Sequence, residues 1–162
     1  MTGGWLLPIL LVVGFASAVG LLALRRSRRR QALHRAAEQL GLRYAEGDPL
    51  GLGRGLGADV SETVWGRFEG ADVAIATASR PPRNDDDDWV TGQVGVSLNM
   101  RVVRGLEVAQ QAVGPNARVG VTTDGRLAVR PHIPRQRGSS LDPHALPDLL
   151  QATARATRSQ YW

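Results

Sequence analysis

Three features of the chain predict an α+β domain carried behind one membrane-spanning helix. An uncharged, mostly aliphatic run from Trp5 to Leu24 stops at Arg25, Arg26, Ser27, Arg28, Arg29 and Arg30. Beyond it, apolar residues recur at alternate positions in segments parted by Glu69-Gly70 and Asp124-Gly125, the pattern of antiparallel hairpins. A helical repeat precedes these segments and another follows them. Together they predict a mainly antiparallel sheet of about five or six strands, covered on one side by an N-terminal and a C-terminal helix.

The first element is the span. At about 1.5 Å per residue, a run of about twenty covers the roughly 30 Å hydrocarbon core of a bilayer. Leucine, isoleucine, valine and phenylalanine dominate it, and each contributes about −0.3 to −0.6 kcal/mol to insertion near the helix centre. Pro8 falls in the first turn, where no intrahelical bond is lost. Trp5 stands where an interfacial aromatic anchor is expected. Five arginines follow the run and no charged side chain precedes it, so residues 1–4 are placed outside, residues 5–24 in the membrane and residues 25–30 as a topology-setting collar. A cleaved secretory signal would use Ala16, Ser17 and Ala18, but such signals carry their positive charge before the apolar run. Gly14 with Ala18, and Ala16 with Gly20, have the spacing of closely packed membrane helices, though composition alone accounts for it.

Removing the five collar arginines from the 20 basic residues leaves fifteen, which equal the 15 acidic residues. The body is therefore neutral, and nothing marks it as a nucleic-acid partner. With no cysteine, thiolate metal sites and thiol chemistry are excluded. Residues 31–162 are long enough to bury a core unaided.

From Arg28 the chain can remain helical, with Ala32, Leu33, Ala36, Ala37 and Leu40 on one face and Gly41 as a left-handed cap. Glu46 to Pro49 form a turn. The stretch from Leu50 to Asp59 carries glycine at alternate positions and reads as a flexible connector whose Leu50, Leu52 and Leu56 touch the core. A phosphate loop there would need a preceding strand and following helix, or a Gly-Lys-Ser/Thr end, and the chain has no lysine. Val60 to Phe68 and Ala71 to Ser79 make one hairpin, with Val73, Ile75 and Thr77 on the buried face of a half-buried strand. Trp89 to Met100 is the next strand, with Val90, Val94, Val96, Leu98 and Met100 on one face. Leu106 to Gln111 fits an edge strand better than a short helix. Val119 to Thr123 and Leu127 to Arg130 make a second hairpin. After a loop from Pro131 to Ser140, Asp142 and Pro143 open the last helix; Pro147 marks its true first turn or a break. Leu146, Leu149, Leu150, Thr153, Thr157 and Tyr161 share its inner face.

Few side chains suggest chemistry. Asp85 to Asp88 supply the carboxylates a hard cation needs but lack the alternating ligands and sharp glycine turn of a calcium loop, so a solvated loop tip is favoured. His34, His132 and His144 have no metal-ligand spacing. Ser97 sits in a sequence that begins like a nucleophile elbow, but Asn99 replaces its closing glycine. Pro81, Pro82 and Arg83 are too short a run for a polyproline ligand. Trp65, Trp89, Tyr161 and Trp162 fit packing over the sheet, and Trp162 could also dock in a groove or at the membrane interface.

The sequence resembles a group of single-pass bacterial membrane proteins from GC-rich genomes that carry a small α+β domain. The resemblance lies in the anchor with its arginine cluster, Leu40-Gly41-Leu42-Arg43-Tyr44, Gly47-Asp48-Pro49, Val64-Trp65-Gly66-Arg67 with the Gly70-Ala71-Asp72-Val73 return, and the Asp142-Pro143 helix ending in Tyr161 and Trp162. Asn99 to Pro115 is shorter here than in that group. The resemblance implies a fold and a membrane location and supplies no activity.

The expectation is a non-enzymatic interaction domain, fixed to the bilayer at the plasma membrane with its C-terminal part cytoplasmic, whose sheet face or edge recruits a protein partner. No cofactor or metal is implied. The alternatives are a metal-dependent or lipid-modifying enzyme using Asp85 to Asp88, and a sensor that holds a small ligand between helix and sheet.

Overall fold

The computed structural model describes residues 6–80, 90–102, 105–131 and 142–161; in the first helix, side chains are described from Phe15 on, Ala16 and Arg26 apart. The elements in chain order are α1 (Leu6–Gln39), β1 (Arg43–Glu46), α2 (Leu52–Leu56), β2 (Asp59–Phe68), β3 (Ala71–Arg80), β4 (Val90–Arg101), α3 (Leu106–Val113), β5 (Ala117–Val121), β6 (Arg126–Pro131) and α4 (Leu146–Arg158). The strands form one six-stranded antiparallel sheet in the order β1-β2-β3-β4-β6-β5. The expected α+β architecture is therefore present.

No proline or left-handed residue interrupts α1 after its first turn, so the apolar run and the helix behind the collar form one 34-residue element, about 51 Å long. It ends at Gly41, whose φ of +70° closes the last turn while Leu42 N–H donates to the Ala37 carbonyl at 2.8 Å. Leu33 and Ala37 are buried and Ala36 and Leu40 pack on the core, but Ala32 is exposed and does not share their face. Among the described residues no helix is long and apolar enough to cross a membrane. Within the uncharged run the described side chains begin only at Phe15, and Phe15 to Leu24 alone span about 15 Å of helix.

The first face of the sheet packs on α1, α3 and α4 through a core that includes Leu33, Val64, Val73, Ile75, Leu127 and Leu150. Each such side chain contributes about 1.5–3 kcal/mol by leaving water. The second face is not open, contrary to expectation. Ala74, Ala76, Ala78, Val94, Val96 and Ala128 lie there beneath Leu52 and Leu56 of α2, with Trp65 and Leu98 packed alongside. β3 is consequently buried on both faces rather than half-buried as its alternation predicts, because the residues between Val73, Ile75 and Thr77 are alanines that fit under α2.

The presumed connector owes its short helix to Asp48. Both carboxylate oxygens accept backbone N–H donors, Leu52 N at 2.7 Å and Gly53 N at 2.7 Å. Residues 106–113 form α3 rather than an edge strand: Ala109 faces the core, Glu107 sits in the first turn, and Gly114 ends the helix. Asp124-Gly125 lies in a three-residue loop, with Thr122 N–H donating to Arg126 O at 2.9 Å and Gly125 at φ +84°. Pro147 occupies the first turn of α4, as the first of its two readings required. Leu146, Leu149, Leu150, Thr153 and Thr157 are buried there; Tyr161 is 62% exposed and departs from that face.

Candidate functional site at the helix–sheet junction

Among the described residues, charge and buried polarity come together where α1 meets the edge of the sheet. Glu46 on β1 and Glu62 on β2 are register partners, so their carboxylates stand side by side. Arg29 Nη2 lies 3.2 Å from Glu62 Oε2, and Arg30 Nη1 lies 2.8 Å from Glu46 Oε1. One turn later Leu33 enters the core. The ion pairs and the apolar contact therefore fall on the same side of α1, as residues three and four apart must.

Tyr44 completes the cluster. Burial, then the Glu62 and Glu46 carboxylates, push its phenol above the ordinary value, against an opposing pull from Arg30 and Arg29. His34 meets it edge-on at 6.0 Å between ring centroids and makes a 3.4 Å contact with Glu38. Tyr44 Oη and Arg30 Nε are buried without a hydrogen-bond partner among the described residues. The arrangement has no nucleophile beside a base; chemically it is a clamp that sets how the helix leaves the domain.

This divides the collar. Arg29 and Arg30, read from sequence as topology devices, are bound to the sheet, whereas Arg25 and Arg28 are exposed and form no ion pair with a described residue. The side chain of Arg26 and all of Trp5 lie outside the described residues, as do Asp85 to Asp88, Trp89, His132 and Trp162. Among the described residues no three potential metal ligands come together. Ser97 is buried, and its hydroxyl has no hydrogen-bond partner among the described residues. In the glycine-rich segment Asp48 already holds the two N–H groups that a phosphate would need.

The expected open sheet edge is also occupied at β5. Gln110 Nε2 donates to Ala117 O at 2.8 Å and to Gly114 O at 2.9 Å, and its Oε1 accepts Val119 N–H at 2.9 Å. One side-chain amide thus satisfies two of the outward backbone groups, Ala117 O and Val119 N–H, on which a partner strand would pair.

Periodicity located α1 but could not reveal Glu46, Glu62 or Tyr44 as its partners, because that contact depends on the angle between helix and strand. No family model, curated protein or solved structure matches the chain.

Proposed function

We propose that the chain is a single-pass membrane protein, the membrane location being the one its resemblance implies, whose α+β domain is held against the cytoplasmic leaflet and recruits a protein partner there. The observation carrying this reading is that α1 does not end at the domain. Its residues Leu6 to Arg28 continue for about 34 Å beyond Arg29, the first residue whose described side chain meets the sheet. On that projection Phe15 is 74% and Leu22 66% exposed, with Val19, Leu21 and Leu24 alongside. An isolated helix that presents large apolar groups on all sides is unstable in water and suited to lipid. The arginines without sheet partners follow directly, on the side expected to stay in the cytosol.

For the partner, strand pairing at the Ala117–Val119 edge of β5 and docking on the second sheet face are disfavoured because Gln110 and α2 occupy them. Leu106 and Val108 of α3 and Val121 of the adjoining β5 are the large exposed apolar groups of the described domain other than Tyr161. They follow the end of β4 that lies opposite the Val90 end. A photo-crosslinking residue at Val108 in membranes is expected to capture one dominant protein adduct, absent when the same residue replaces exposed Arg155. A smear of unrelated neighbours from both positions would contradict recruitment through α3.

A further inference from the structure

The two edges of the sheet are finished differently. Gln110 lies across β5, whereas β1 ends the sheet on the other side and pairs with β2. Gly47 N–H donates to Ser61 O at 2.8 Å in continuation of the β1–β2 register, so Gly47 turns its N–H toward β2. Antiparallel pairs alternate between bonded and non-bonded residues. Arg43 and Ala45 therefore also turn inward, while Tyr44 and Glu46 direct both N–H and C=O away from the sheet. No described residue bonds to those outward groups, and Arg43 and Glu46, at the two ends of the strand, are exposed.

The side chains of β1 meet different surroundings on its two faces. On the first, α1 roofs the strand: Arg30 holds Glu46, and His34 lies against Tyr44. On the second, Arg43 stands opposite half-buried Trp65, with Ala45 beside it and exposed Arg67 diagonal to it. None of these neighbours is acidic, and Arg43 forms no ion pair with a described residue. A guanidinium so placed is matched by a carboxylate on the next strand out. With 4 residues and a charge at each end, β1 resists indiscriminate pairing and favours a strand that carries this match.

A second copy of the chain cannot supply that strand within one bilayer. Antiparallel pairing of β1 with itself uses a two-fold axis across the sheet, which reverses everything that runs along the strands. α1 runs with β2: Arg29 meets Glu62, and Leu42 Cδ2 lies 2.9 Å from where a Cβ on Gly66 would be. Two copies paired in this way would send their projecting helices in opposite directions.

We propose that the outer edge of β1 accepts an extended strand of a different protein, antiparallel and with an acidic side chain opposite Arg43. The inference rests on the anchored, partner-recruiting reading above and adds to it a second contact, across the sheet from α3. Backbone groups of Tyr44 and Glu46 supply the affinity, and Arg43 supplies the selectivity.

The full chain in nanodiscs is mixed with a short peptide of alternating threonine and valine bearing one glutamate to face Arg43, and hydrogen–deuterium exchange is read at the β1 amides. In the chain alone, Tyr44 and Glu46 are expected to exchange faster than Ala45. The peptide should slow both about tenfold, and N-methylation of its backbone should abolish the effect. A lysine in place of its glutamate should weaken protection about fivefold in wild type and restore it in Arg43→Glu. Glu46→Pro removes an outward N–H and should lose the protection that Glu46→Ala keeps, with a thermal melt confirming that both fold. Protection of Tyr44 and Glu46 without peptide would mean that the chain covers its own edge and overturns the proposal. So does binding that survives N-methylation, or a disulfide-linked dimer of Ala45→Cys, which would make the occupant a second copy. If the wild-type chain does not enter the nanodisc, the anchored reading fails; entry without peptide protection removes only the β1 site.

Discussion

Gly95 lies on β4 directly beneath Thr153 of α4, so close that a Cβ would collide with the threonine hydroxyl and Cβ. The contact lets α4 settle on the middle of the sheet, where Thr153 bonds back to Leu149 O at 2.7 Å. Gly95→Ala is expected to cost about 1–3 kcal/mol by overpacking, read as a lower midpoint in urea, and pairing it with Thr153→Ala should recover part of that loss. At the β5–β6 turn the Thr122 hydroxyl donates to the Asp124 carboxylate, which is held below its ordinary range chiefly by that bond and, against some burial, by Arg126. A carboxyl lowered on folding stabilises the fold above its unfolded pKa, and that contribution disappears as pH falls through the folded value. The stability gap between wild type and Asp124→Asn should therefore be full above about pH 5 and close toward about pH 2; a gap that widened on acidification would contradict the assignment. The turn at Asp124-Gly125 was legible because the dipeptide fixes local backbone geometry. The burial of Ala74, Ala76 and Ala78 was not, because alanine suits either an exposed position or one beneath a close-packed helix.

At the level of elements, the segments misread in sequence are those whose conformation depends on one distant contact. Residues 106–111 alternate well enough for a strand, yet the chain coils so that Ala109 reaches the core and Gln110 reaches β5. The Leu50–Asp59 stretch looked flexible because of its glycines, but the Asp48 carboxylate and buried Leu52 and Leu56 hold it as a turn of helix. Strands were easier, since hydrophobic alternation and turn residues agree over β2, β3 and β6. Gln110→Ala is expected to free the outward groups of Ala117 and Val119, lowering stability by about 1–3 kcal/mol and promoting concentration-dependent self-association. Sedimentation in detergent measures this; a variant as monodisperse and stable as wild type would show that the amide does not guard the edge.

Across the whole molecule, α1 and the sheet form one connected body, because the clamp leaves no linker between the projecting helix and the core. Glu62 is the partner to perturb, as its side chain is 12% exposed and that of Arg29 32%. Glu62→Gln is expected to destabilise the domain by about 1–3 kcal/mol and, with nitroxides on α1 and β5, to broaden the interspin distance distribution; an unchanged distribution would mean that the Arg29–Glu62 pair does not set the helix's direction. The sequence indicated a helix on either side of the collar and allowed the two to be continuous, but the sheet's use of Arg29 and Arg30 is a three-dimensional fact that no repeat encodes. Since the chain has no cysteine, one introduced at exposed Gln39 gives a clean label in expressing cells. The account predicts that Gln39→Cys stays with alkali-washed membranes and reacts with an impermeant maleimide only after the cells are broken; release by the wash, or labelling in intact cells, would contradict it.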